Sequence, residues 1–93
     1  MNNLIVKHDA DKHLFYAKVK GGNAELRYEP HSDEYLDFHE TYVPEASREF
    51  GVASTIVEKA LDFAMKQDLK VKPTCPFVRS YLQKTEKYNK IAM

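Results

Sequence analysis

From Leu4 to about Val43 the hydrophobic positions alternate with polar ones, a period of two that predicts β-strands. Leu4-Ile5-Val6 is a short β-branched run that opens the chain. Over Leu14 to Val19, Phe15, Ala17 and Val19 face opposite to Leu14, Tyr16 and Lys18, giving a second strand. Gly21-Gly22-Asn23 supplies the positive-φ positions of a tight hairpin. Ala24, Leu26 and Tyr28 then alternate with Glu25, Arg27 and Glu29 until Pro30 ends the third strand. His31-Ser32-Asp33 makes a turn, and a fourth strand runs from about Glu34 to Val43, stopping at Pro44.

There the period changes. Val52, Ile56, Val57, Ala60, Leu61, Ala64 and Met65 recur at the spacing of one helical face, predicting a helix of roughly 16 residues. Leu69 to Lys72 reads as a short strand, since the residue before Pro73 favours extended backbone. A shorter helix starts at Pro76, a residue suited to the first helical position, and presents Val78, Tyr81 and Leu82 on one side. Lys84 to Met93 is polar and receives no element. The order β-β-β-β-α-β-α describes an α+β fold, a mixed and mainly antiparallel sheet with a crossover helix. The crossover sets the fifth strand parallel to the fourth, where such sheets open a ligand crevice.

Composition narrows the classes. At 93 residues the chain has room for one domain, residues 1–93, burying about 60–65% of its unfolded surface. Fourteen basic and fourteen acidic residues cancel, so nothing attracts a phosphate backbone globally, and nucleic acid is not an expected partner. Cys75 is alone, and no apolar run has the length of a membrane span. A reduced, cytoplasmic, soluble protein is the expectation. His8, His13, His31 and His39 have no zinc-ligand spacing, so no metal site is expected.

Chemistry concentrates in Val43-Pro44-Glu45-Ala46-Ser47-Arg48-Glu49-Phe50-Gly51-Val52-Ala53-Ser54. A strand end, a turn and a helix start in succession leave backbone N–H groups without partners, at the positive end of a helix dipole. Such donors suit phosphate oxygens, and the small Gly51, Ala53 and Ser54 allow close approach. A plain helix start after glycine fits the same spacing.

Arg48-x-x-Gly51-x-Ala53 matches the Arg/Gln-x-x-Gly-x-Gly/Ala signature of the Gcn5-related N-acetyltransferases, at its place after the fourth strand. The chain most resembles the very small proteins of that superfamily. They carry a Thr-x-Val-Pro lead-in, here Thr41 to Pro44, and a Pro-Ser/Thr-Cys motif, here Pro73-Thr74-Cys75. Glu49 stands where those proteins usually have Gly, and Glu40-Thr41 where many have His-Thr. The resemblance implies a CoA-binding loop from Arg48 through Glu49, Phe50, Gly51, Val52 and Ala53 to Ser54. It also implies main-chain pairing of Tyr42 and Val43 with the pantetheine arm, and acetyl-CoA or CoA as cofactor. Phe50 either stacks on the cofactor or anchors the loop.

Acetyl transfer to an amine needs a base and a proton donor for the leaving thiolate. Alternation along the fourth strand sets Glu40 in an apolar row with Leu36, Phe38 and Tyr42, where desolvation favours a basic carboxylate. The alternative is a Glu40 that meets water. Cys75, at the start of a helix, either takes the acetyl group or lies against the thioester unreacted. Tyr81 reads as a general acid or a core aromatic, and Lys84 as a phosphate contact or a solvated lysine. The expected function is an N-acetyltransferase acting on an unknown amine, such as a small amine, a peptide or a lysine side chain. The alternatives are a non-catalytic CoA-binding module and an interaction domain.

Overall fold

The computed structural model describes residues 4–48 and 51–93. Five strands form one sheet in sequence order: β1 (Lys7–Asp9), β2 (Leu14–Val19), β3 (Gly22–His31), β4 (Tyr35–Tyr42) and β5 (Lys70–Lys72). The first four are antiparallel neighbours, and β5 joins β4 in parallel. Helix α1 (Val52–Lys66) makes the crossover, and α2 (Pro76–Gln83) follows β5. The α+β order and the parallel last strand expected from the sequence are therefore present.

Phe15, Ala17, Ala24, Leu26, Leu36, Phe38 and Val71 form the buried face of the sheet. One hydrophobic cluster joins them to Ile56, Val57, Ala60, Leu61 and Ala64 of α1 and to Val78 of α2. Burial of each such branched or aromatic side chain contributes about 1.5–3 kcal/mol. The apolar stripe of α1 is thus what seats the helix, and with it the loop that begins it.

Two strand boundaries and the phase of one strand depart from the sequence reading. Leu4-Ile5-Val6 is not a strand, because β1 begins at Lys7. Pro30 does not end β3, which continues to His31. The Tyr28 N–H donates to the His13 carbonyl on the β2 side at 3.0 Å. Two residues on, Pro30 would aim its nitrogen the same way, past the start of β2, so the missing donor costs no ladder bond.

The third departure matters most for the site. Tyr28 opposes Phe38, yet Arg27 opposes Glu40, so β4 carries one extra residue, His39, at a β-bulge. His39 and Glu40 are both exposed, after which alternation resumes in the opposite phase. Thr41 and Val43 turn inward, while Tyr42 turns to solvent.

Residues after α2 also have structure. The Val71 N–H donates to the Ile91 carbonyl at 2.8 Å and the Met93 N–H to the Val71 carbonyl at 2.9 Å, along the outer edge of β5. Tyr88, 1% exposed, and Ile91 are inserted into the core, and the Tyr88 hydroxyl donates to Asp62 of α1 at 2.6 Å.

Candidate functional site

β4 and β5 are paired only from Tyr35 to Asp37. A final bond, from the Cys75 N–H to the Phe38 carbonyl at 2.9 Å, marks where they part. Beyond it β4 runs on through the bulge, while the other chain turns at Pro73 and enters α2. The start of α1 closes the third side. The resulting cleft, about 380 Å3, is walled by Thr41, Val43, Arg48, Gly51–Ser54 and Phe77.

Backbone donors line its α1 wall. Gly51 is the N-cap in a left-handed conformation, φ 68°, and among the described residues no side chain caps the helix. The Thr55 N–H donates to the carbonyl of this N-cap, Gly51, at 3.1 Å. The N–H groups of Val52, Ala53 and Ser54 precede it and have no helical acceptor. At the positive end of a 15-residue helix they could hold the oxygens of a phosphate or diphosphate.

The loop leading into α1 is fixed at two points. Ser47, 3% exposed, donates its hydroxyl to the Lys20 carbonyl of the β2–β3 hairpin at 2.8 Å. Arg48 donates Nε to the Val43 carbonyl at 2.8 Å while its side chain lines the cleft. Gly21 completes the contact, because a Cβ there would lie 3.1 Å from that of Pro44 and 3.3 Å from that of Ala46, at φ 94°. The hairpin and the loop therefore share one packed junction.

At the floor, Thr41 Oγ1 lies 3.4 Å from Cys75 Sγ. Cys75 is 5% exposed and stands behind Thr41, which reaches the cleft itself. The backbone N–H of Cys75 is held by Phe38 and its carbonyl by the Arg79 N–H at 3.0 Å, so the thiol sits on a fixed frame.

The structure brings Arg48, Gly51, Val52, Ala53, Ser54 and Val43 to one cleft, with Cys75 just beneath it. Glu49 and Phe50 lie outside the described residues. Glu40 is corrected: the bulge at His39 takes it out of the apolar row and leaves it exposed on the face opposite Leu36 and Phe38. The Val43 carbonyl, one of the main-chain groups expected to meet a pantetheine arm, accepts from Arg48 Nε. Tyr42 directs its side chain to solvent.

Tyr81 lies one turn beyond Phe77, half-buried and off the cleft wall. Burial first, then the carboxylates of Glu58 and Asp62, push its hydroxyl above the ordinary range, so it stays protonated at neutral pH. Lys84 caps the far end of α2 from Cys75 and does not line the cleft. Thr41 and Phe77 are wall residues that alternation alone misses, because the bulge that turns Thr41 inward leaves no mark in the polar pattern. Among the described residues no group of three or more His, Cys, Asp or Glu is disposed to hold a metal ion. No described helix is long and apolar enough to cross a membrane.

Comparison with known proteins identifies the family and the fold. The profile of a family described as GCN5-related N-acetyl-transferase matches residues 14–91. Protein NATD1 of Mus musculus is 34% identical over 80 residues, covering 84% of this chain and 73% of that protein. Protein NATD1 of Xenopus tropicalis is 31% identical over 84 residues, covering 88% and 77%. The solution structure of a GCN5-like N-acetyltransferase candidate from Staphylococcus aureus superposes with a TM-score of 0.75. It covers all of this chain and 91% of the other at 23% identity, a likeness of fold. Profile and relatives together place it: the chain belongs to the GCN5-related N-acetyltransferase family.

Proposed function

We propose that the cleft binds acetyl-CoA and that the chain transfers its acetyl group to an amine. One observation carries the reading. Val52, Ala53 and Ser54, the first turn of α1, line the same cleft as Thr41, which contacts Cys75, so a helix N-terminus suited to an anion and a reaction floor are joined along one wall. No carboxylate lines that wall among the described residues, and Arg48 adds a cation. Both features suit a diphosphate. Acetyl-CoA supplies an acyl thioester. The chain orients it, with the phosphates at the start of α1 and the thioester end directed to Thr41.

In this scheme Cys75 positions rather than reacts. Cys75 is buried, its Sγ in contact with Thr41 Oγ1, and an attacking sulfur would need direct contact with the thioester carbon. The amine attacks that carbon, and the CoA thiolate leaves with the proton that the amine gives up.

A second reading, a CoA-binding module without turnover, is favoured by one specific feature. The described cleft wall holds no carboxylate, imidazole or phenol to act as a base. Release of CoA thiol, measured with a panel of amines, separates the two. Turnover dependent on an amine supports transfer, and binding without turnover supports the module.

A further inference from the structure

β1 leaves the sheet early. Its ladder with β2 ends at Lys7 opposite Tyr16, while β2 runs on to Val19. Continued pairing would place Ile5 opposite Lys18. Instead Leu4 and Val6 turn to pack against the core, and Ile5 is 71% exposed. Between this segment and the edge of β2 lies a cavity of about 480 Å3, larger than the cleft at the start of α1. Its size is within the range of small-molecule sites, about 300–1,000 Å3.

The walls have a definite chemistry. Leu4 and Ile5 supply apolar surface, while Lys7 and Lys18 supply two ammonium groups. Tyr16 and Asn23 add a hydroxyl and a side-chain amide. The lining contains no carboxylate among the described residues. Glu25, the β3 neighbour of Tyr16, is engaged by Arg27 at 2.8 Å. Two cations without a counter-charge among the described lining residues, beside the exposed Ile5 and the half-buried Leu4, match one class of ligand: an acidic group on an apolar body. The edge of β2 from Ala17 to Val19, which β1 does not pair, adds main-chain hydrogen-bonding groups.

We propose that this gap binds a small organic anion, a carboxylate or phosphate carried on a short apolar chain, at a site separate from the cleft between β4 and α1. Lys7 and Lys18 take the charge, and Leu4 and Ile5 cover the chain. The inference does not depend on acetyl transfer.

The test is a titration of the full chain, followed by amide NMR, with octanoate, octyl phosphate and octyltrimethylammonium. Both anions should saturably shift the amides of Ala17, Lys18 and Asn23, and the cation should not. The tighter anion identifies the acidic group. Lys7→Glu with Lys18→Glu should weaken binding at least about tenfold. Ile5→Asp, at a position exposed enough to leave the fold intact, should do likewise. Shifts that never saturate, equal shifts with the cation, or affinity unchanged in these variants would each overturn the proposal.

Discussion

Thr41 Oγ1 lies 3.4 Å from Cys75 Sγ, so the lone cysteine of this chain touches the cleft through a threonine hydroxyl instead of facing it. The contact exists because the bulge at His39 rotates β4, turning Thr41 inward at the point where β4 and β5 separate.

This arrangement gives the first prediction. Cys75→Ala should retain turnover to within about tenfold, with a stability loss of about 1–2 kcal/mol from the small cavity created. Intact-mass measurement of wild-type protein quenched during turnover should find no acetyl adduct. An adduct on Cys75, or complete loss of turnover in a folded Cys75→Ala variant, would show that the thiol is the nucleophile.

The junction between hairpin and loop gives a second. Ser47→Ala removes the bond to the Lys20 carbonyl within a buried contact and should cost about 1–3 kcal/mol. For a chain of this size each kcal/mol corresponds to a fall of about 4–8 °C in Tm. Thermal unfolding measures it, and affinity for CoA should fall in step because the same loop begins α1.

Much of this architecture could be read from the chain. The 3.6-residue period placed α1 correctly because a single stripe, Val52 to Ala64, meets a single sheet face. The bulge cannot be read, since an extra residue changes phase without changing composition, and so alternation alone sets Glu40 on the apolar face, whereas it meets water. The C-terminal segment was opaque for another reason. Its two core residues, Tyr88 and Ile91, are surrounded by Lys87, Asn89 and Lys90, too few apolar positions to define a period. Pro30 misled because its cost depends on whether a strand lies beside it, a tertiary fact.

The C-terminal segment should matter to stability. Tyr88→Phe deletes the 2.6 Å bond to Asp62 and should cost about 1–3 kcal/mol. Tyr88→Ala should cost about 3–5 kcal/mol, as for other buried aromatics. Urea unfolding of the two variants checks both values, and near-equal losses would contradict the buried placement of the ring.

His8 stacks on Phe15 at a centroid distance of 4.1 Å and meets the edge of Phe63 at 4.6 Å. Burial there lowers its pKa, against a smaller opposing effect of Asp9. The unfolded chain therefore binds this proton more readily than the folded one. Stability is fully present above the unfolded value of 6.5 and declines as pH falls below it toward the lowered folded value. Unfolding free energies measured between pH 7 and pH 5 should show this slope, and His8→Phe should remove it. A variant slope equal to that of wild type would contradict the assignment.

If acetyl transfer proceeds without a base from the chain, kcat/KM should climb with pH until the acceptor amine reaches its own pKa, about tenfold per unit, with no fall at higher pH set by the enzyme. A plateau at a pH independent of the amine chosen would reveal a titrating residue in the site.

The most direct measurement is calorimetric titration of wild-type protein and Ser54→Glu with CoA. A glutamate in the first turn favours the helix dipole and so keeps the fold, yet it sets a negative charge where the diphosphate is proposed to lie. The account predicts saturable binding to wild-type protein and at least about tenfold weaker binding to a variant whose Tm is undiminished. Absence of binding by the wild type, or equal affinity in the variant, would contradict the placement of CoA at the start of α1.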